Sequence, residues 1–170
     1  GLGTQSGTVT LDTAKTNILS STATLIKGTF TSTTDKIAFT GDLAKMLGAT
    51  SFTDSNFDAT ASSQHGTIVP NKITLPDATT KLVTADSAEE LATKFSASIN
   101  TTDGLISFLT TGQKAILLTN SAATIEKALN IWYVEGGANP EATTDDTIVL
   151  LGTVLTSTIL AAGDFTTESA

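Results

Sequence analysis

The run LISFLTTGQKAILLT, residues 105–119, decides the fold class. Its two apolar halves, 105–110 and 114–119, flank Thr111, Gly112 and Gln113, a short connection with a glycine available for a tight turn. That arrangement predicts a β-hairpin. Toward the C-terminus, 130–134 (NIWYV) and 147–155 (TIVLLGTVL) read as further strands, the second apolar enough to be buried. Residues 136–146 form the loop between them. Residues 121–129 are a short helix or the approach to the strand at 130, and 161–170 are a polar tail.

Upstream lies the clearest helical signal, 87–100. Ala88, Leu91, Ala92, Phe95 and Ile99 recur at helical spacing on one face. Asp86 or Ser87 supplies the cap, Glu89 and Glu90 stand where a capping box needs an acid, and 101–104 (TTDG) ends the helix. Residues 42–47 (DLAKML) read as one or two helical turns stopped by Gly48. Strands are expected at 22–30 and 34–40. Residues 7–11 (GTVTL) alternate, with Val9 and Leu11 on one face, and read as an edge strand or an arm given to a neighbour. Residues 51–66 are a loop or a pair of short strands. Pro70 and Pro76 keep a central strand away from their own positions. The expected fold is therefore mainly β, β-sandwich-like or compact α+β, with one clear helix and one or two short ones. One domain, 1–170, is expected, with a weak seam near 66–76.

Composition narrows the function. The chain has 170 residues, nine lysines, no arginine, seventeen carboxylates and a net charge of −8. Without the guanidinium fork that recognises phosphate and guanine, nucleic acid is not an expected partner, and an anionic membrane surface repels the chain. Cysteine is absent, which removes disulfides and thiolate metal sites. Thirty-five threonines and fifteen serines suit half-exposed strands with hydroxyls facing water. No apolar run approaches the roughly 20 residues of a membrane-spanning helix. The first twenty residues lack a basic start followed by an apolar block, so a processed product, a cut-out fragment or an export route that ignores the N-terminus is expected.

Few residues suggest chemistry. His65, in SSQHG, is the one histidine, and the pentapeptide reads as a turn; among so many hydroxyls, a serine near it carries no triad signal. Glu89 and Glu90 open a helix, where negative charge is stabilising without any catalytic role. Calcium is the metal that fits best, since it takes carboxylate and carbonyl oxygens. The candidate clusters are Glu141 with Asp145 and Asp146, Asp54 with Asp58, and Asp35 with Asp42. Trp132 and Tyr133 are the single Trp and the single Tyr. Adjacent on a strand, they point to opposite faces, so one is expected in the core and the other as a possible contact for sugar or protein. No enzymatic site is expected.

Two resemblances add to this. Residues 130–137 (NIWYVEGG), 147–154 (TIVLLGTV) and 160–165 (LAAGDF) follow the order of the C-terminal blocks of RTX-type proteins exported by type I secretion: an aromatic strand, an acidic turn, an apolar strand, and a closing L-x-x-x-D-F. Phe30, Thr31 and 35–39 (DKIAF) are similar to the segment that follows an RTX β-roll. The likeness implies a C-terminal secretion-like motif at Leu160, Asp164 and Phe165. Residues 84–124 resemble the β-α-β-β unit that decorates flagellins and long adhesins, a packing module without chemistry. The implied function is that of a secreted, cell-surface structural protein: a self-assembling subunit or terminal module of a surface layer (S-layer), filament or large adhesin, and a homo-oligomer. A calcium-dependent adhesin domain that binds a surface glycan or a protein is the alternative, and a phage or virion structural protein a further one.

Overall fold

The computed structural model describes residues 8–11, 24–26, 35–48, 57–58, 68–74, 83–96, 106–107, 109–121, 128–139, 145–155 and 160–167. Three long strands organise it: β8 (Lys114–Asn120), β9 (Ala128–Glu135) and β10 (Thr147–Leu155). They run antiparallel, β9 in the middle, with Leu117 opposite Trp132 and Trp132 opposite Leu150. Three shorter strands widen this sheet. β2 (Thr24–Ile26) joins β10 in parallel, β5 (Ile73–Thr74) joins β8 in parallel, and β4 (Phe57–Asp58) joins β5. The order is β2-β10-β9-β8-β5-β4.

A second sheet is all parallel: β1 (Thr8–Leu11), β3 (Lys36–Phe39) and β11 (Phe165–Thr167), with β3 central. With helix α1 (Gly41–Leu47) it packs on one face of the large sheet. There Ile37, Phe39, Leu43 and Phe165 meet Ile116, Leu118, Ile131 and Tyr133. The rings of Phe39 and Phe165 stack at 5.9 Å, an arrangement that adds about 0.5–1.5 kcal/mol beyond simple burial. The other face takes helix α2 (Ala88–Ala92), with Val83, Leu91, Phe95 and Leu109 against Leu117, Trp132 and Val134. The fold is mainly β, as the sequence predicts.

Alternation explains how one strand serves two cores. Along β9, Leu129, Ile131 and Tyr133 face the β3 side, while Trp132 and Val134 face α2. β10 keeps the same division through a bulge. Leu150 pairs with Trp132, but Gly152 pairs with Ile131, so Leu151 is the extra residue. This lets Leu151 and Val154, an odd number of residues apart, enter the same cluster.

Local signals hold where they are chemically specific. α1 ends as expected at Gly48, whose φ of 73° is left-handed and whose N–H donates to the Ala44 carbonyl at 3.0 Å. The hydroxyl of Ser87 accepts from the Glu90 N–H at 3.0 Å, and the Glu90 carboxylate accepts from the Asp86 N–H at 2.9 Å. The 87–100 helix, however, is cut to Ala88–Ala92. Lys94 N–H turns to the Leu91 carbonyl and the Thr93 hydroxyl bonds the Glu90 carbonyl, closing the last turn tightly. Phe95 then enters the core from strand β6 (Phe95–Ser96). A one-turn helix followed by a turn satisfies the same apolar spacing as a longer helix.

The hairpin is corrected as well. Gly112, at φ 75°, does turn the chain. Yet β7 (Ile106–Ser107) pairs in parallel with β6, and β8 pairs with β9 and β5. Backbone groups pair equally well with a distant strand, and the apolar face of β8 is better covered inside the large sheet. At the expected seam, Pro70 lies in the turn before β5, and Asn71 takes a φ of 62°. Among the described residues, no helix is long and apolar enough to cross a membrane.

Candidate functional site

Trp132 and Tyr133 point to opposite faces of β9, but neither contacts solvent: they are 1% and 3% exposed. The expectation of an exposed aromatic contact at one of them is thereby corrected. β9 is an inner strand with both faces covered, so no ring on it reaches water. The Trp132 indole N–H donates to the Thr119 hydroxyl at 2.8 Å, and that hydroxyl donates to the Ala85 carbonyl at 3.3 Å. The Tyr133 hydroxyl donates to the Glu135 carboxylate at 2.7 Å. Burial first, then the Glu135 hydrogen bond and charge, hold this phenol far above its usual titration range.

The indole bond belongs to a wider polar network at the end of the sheet near α2. The Asn130 amide donates to the Ala85 carbonyl at 2.7 Å and to the Asp86 carboxylate at 3.1 Å, and its oxygen accepts from the Thr153 hydroxyl at 2.7 Å. Ser121 donates to the same Asp86 oxygen at 2.5 Å. Thr84 bridges to Asn120 beside it. These bonds bind residues 83–86 to β8, β9 and β10. Sequence reasoning missed them, although an asparagine inside the apolar run ALNIWYV is a signal, since a buried amide must find partners.

The acidic turn lies at the opposite end of the sheet. The Asp146 Oδ1 accepts from the Gly137 N–H at 2.7 Å, and Asp145 accepts from the Asn139 N–H at 3.1 Å. The Asp146 Oδ2 is buried and has no hydrogen-bond partner. Desolvation, ahead of the charge of Asp145, raises its pKa, against the lowering effect of the Gly137 bond. Gly136 and the 110–113 turn exchange backbone bonds: Gly112 N–H to the Gly136 carbonyl at 2.8 Å, and Gly136 N–H to the Gln113 carbonyl at 2.9 Å. A methyl group on Gly136 would strike the Thr110 carbonyl. Thus two of the three carboxylates of the Glu141 cluster, Asp145 and Asp146, serve as turn-closing acceptors. The third, Glu141, lies outside the described residues, as do Asp54 and His65. Among the described residues, no three His, Asp or Glu side chains gather to hold one metal ion.

The tail residues are built into the second sheet. Leu160, Asp164 and Phe165 are all nearly fully buried. Asp164 accepts from the Ala161 N–H at 2.7 Å and returns its own N–H to the Ala161 carbonyl at 3.0 Å, closing the 3-10 turn Ala162–Asp164 that leads into β11. The Lys36 ammonium donates to the Gly163 carbonyl.

β1 borders the parallel sheet, in register with β3 from Thr8 opposite Lys36 to Leu11 opposite Phe39. Among the described residues, β2 pairs with the outer side of β10 at Gly152, Thr153 and Val154. The first half of β10 is half-buried, not buried as the apolar run 147–155 suggests. Comparison of the chain with family models, curated proteins and solved structures finds no match.

Proposed function

We propose that this chain is an extracellular structural module, a subunit or terminal part of a bacterial surface layer, filament or adhesin, which self-assembles through β-strand edges and uses no reacting side chain. The observation that carries the reading is the place of β1: a four-residue strand at the margin of a parallel sheet whose next strand, β3, has Ile37, Ala38 and Phe39 at 0% exposure. Strand addition at such a margin draws on backbone N–H and C=O groups and needs no special side chain. The strong acidity, the absence of arginine and the many threonines support a surface setting. Export follows a type I route, with the Leu160–Asp164–Phe165 region read on the unfolded chain, because those residues are buried after folding.

Deleting residues 1–13 and following assembly by light scattering tests the role of β1. Loss of assembly, with the body still folded by circular dichroism, is the expected result. Assembly unchanged by the deletion removes β1 from the mechanism.

A further inference from the structure

The parallel sheet brings together the first and the last strand among the described residues. β1 and β11 lie on either side of β3, and all three run the same way. Thr8, where the chain enters β1, stands opposite Lys36 at the start of β3. Thr167, the last residue of β11, stands opposite Phe39 at the end of β3. A pull on the chain ahead of Thr8 and a pull beyond Thr167 therefore act on opposite ends of the same three strands, along their axes.

Direction decides how a strand pair resists a pull. Ladder hydrogen bonds run across the strands, slanted where the pair is parallel. A pull along the axis loads every bond of the pair together, and they must yield in one step. A pull across the axis at one end loads the terminal bond alone, and the others follow singly. Here the load passes from β1 through β3 to β11, so both interfaces are in shear. β8, β9 and β10 lie outside that path.

We propose that this sheet is a tension clamp, which keeps the module folded under load applied along the chain on the two sides of residues 8–167. The inference goes beyond assembly at strand edges, because a single copy suffices for it.

Side chains of β3 and β11 brace the backbone bonds. Ile37, Ala38 and Phe39 are 0% exposed, which fixes the middle strand in the core. Phe165 is buried with Ile37 and Phe39 in one cluster, its ring stacked on that of Phe39. Slip of β11 by one residue, the smallest step of a ladder, turns the buried Phe165 and Thr167 to the opposite face. Just ahead of β11, Leu160 and Ala162 are buried in the same cluster. The Asp164 carboxylate closes the turn there on the Ala161 N–H, and the Lys36 ammonium ties the start of β3 to the Gly163 carbonyl. Sliding of β11 must break these contacts together with the ladder. That raises the barrier to forced unfolding, and this barrier, not equilibrium stability, governs rupture under load.

The chain has no cysteine, so thiol handles attach only where they are introduced. Optical-tweezer pulling of single full-length chains, at one pulling speed, compares three pairs of attachment points. Gly1→Cys with Ala170→Cys loads the clamp in shear. Asp42→Cys with Ala170→Cys peels β11 from its Thr167 end, since Asp42 is exposed in the first turn of α1, just past Phe39. Gly1→Cys with Gly163→Cys peels β1 from its Thr8 end. Gly163 is exposed, and a Cβ there meets nothing within 4 Å. Circular dichroism melts establish that each variant is folded. The end-to-end pair is expected to rupture at a several-fold higher force than either peeling pair. End-to-end rupture at or below the peeling force, in whichever peeling variant folds, overturns the proposal. Because single chains are pulled, the result does not depend on whether copies assemble.

Discussion

Tyr133 and Trp132 are neighbours in sequence whose hydroxyl and indole N–H lie on opposite faces of one strand, each with a single named acceptor. The Tyr133 phenol has a folded-state pKa raised by burial and by Glu135. Its contribution to stability is therefore complete below the ordinary phenol value near 10 and is lost as the pH climbs above it. Phenolate absorbance of this single tyrosine is expected to appear only together with alkaline unfolding, and Tyr133→Phe to flatten the stability loss above about pH 10. A phenolate signal in the folded protein near the ordinary value would contradict the buried assignment. Asp146 behaves with the same sign at acid pH. Its raised pKa means that stability is complete below the usual carboxylate range and declines as the group ionises with rising pH. Asp146→Asn keeps an oxygen for the Gly137 N–H, and thermal melts are expected to show it more stable than the native chain at neutral pH, with the gap closing toward about pH 4.

At the scale of elements, a helix cap and a turn glycine give separable tests. Ser87→Ala removes the acceptor of the Glu90 N–H and is expected to cost about 1 kcal/mol in urea unfolding. Gly136→Ala is expected to cost more, because its methyl group meets the Thr110 carbonyl and the 110–113 turn must move away. An alanine at 136 with unchanged stability would mean that this turn does not pack against β9 as described. These elements also show what was legible beforehand. Gly48 and Ser87 act through bonds made within four residues; the sequence alone located Gly48 and narrowed the cap to Asp86 or Ser87. The length of α2 was not legible, because Ala88, Leu91, Ala92 and Phe95 fit either a long helix or one turn followed by a strand. Only the pairing of Phe95–Ser96 with Ile106–Ser107 separates the two.

For the molecule as a whole, β8, β9 and β10 supply residues to both cores. Trp132 reports on the α2 side and Tyr133 on the β3 side. Urea unfolding followed by indole fluorescence and by tyrosine near-ultraviolet dichroism is expected to give coincident transitions; two separate midpoints would mean that the cores unfold independently. Ile37→Ala, on a fully buried residue of the middle strand of the second sheet, is expected to cost about 2–5 kcal/mol and to shift both signals together. The candidate site follows the same division of scale. The acidic turn at Asp145 and Asp146 was visible as a cluster, but its role as an acceptor for Gly137 and Asn139 depends on a backbone brought in from β9.

The sequence by itself determined the strand-rich class, the positions of β8, β9 and β10, the stop of α1 at Gly48 and the acidic, arginine-free surface, since each depends on residue types and on spacing within a few positions. The tertiary structure decided which strand lies beside which and that both aromatic residues of β9 are enclosed. Backbone hydrogen bonds are chemically alike along every strand. The choice of partner therefore comes from how distant apolar faces cover one another, and no local pattern in the chain carries that information.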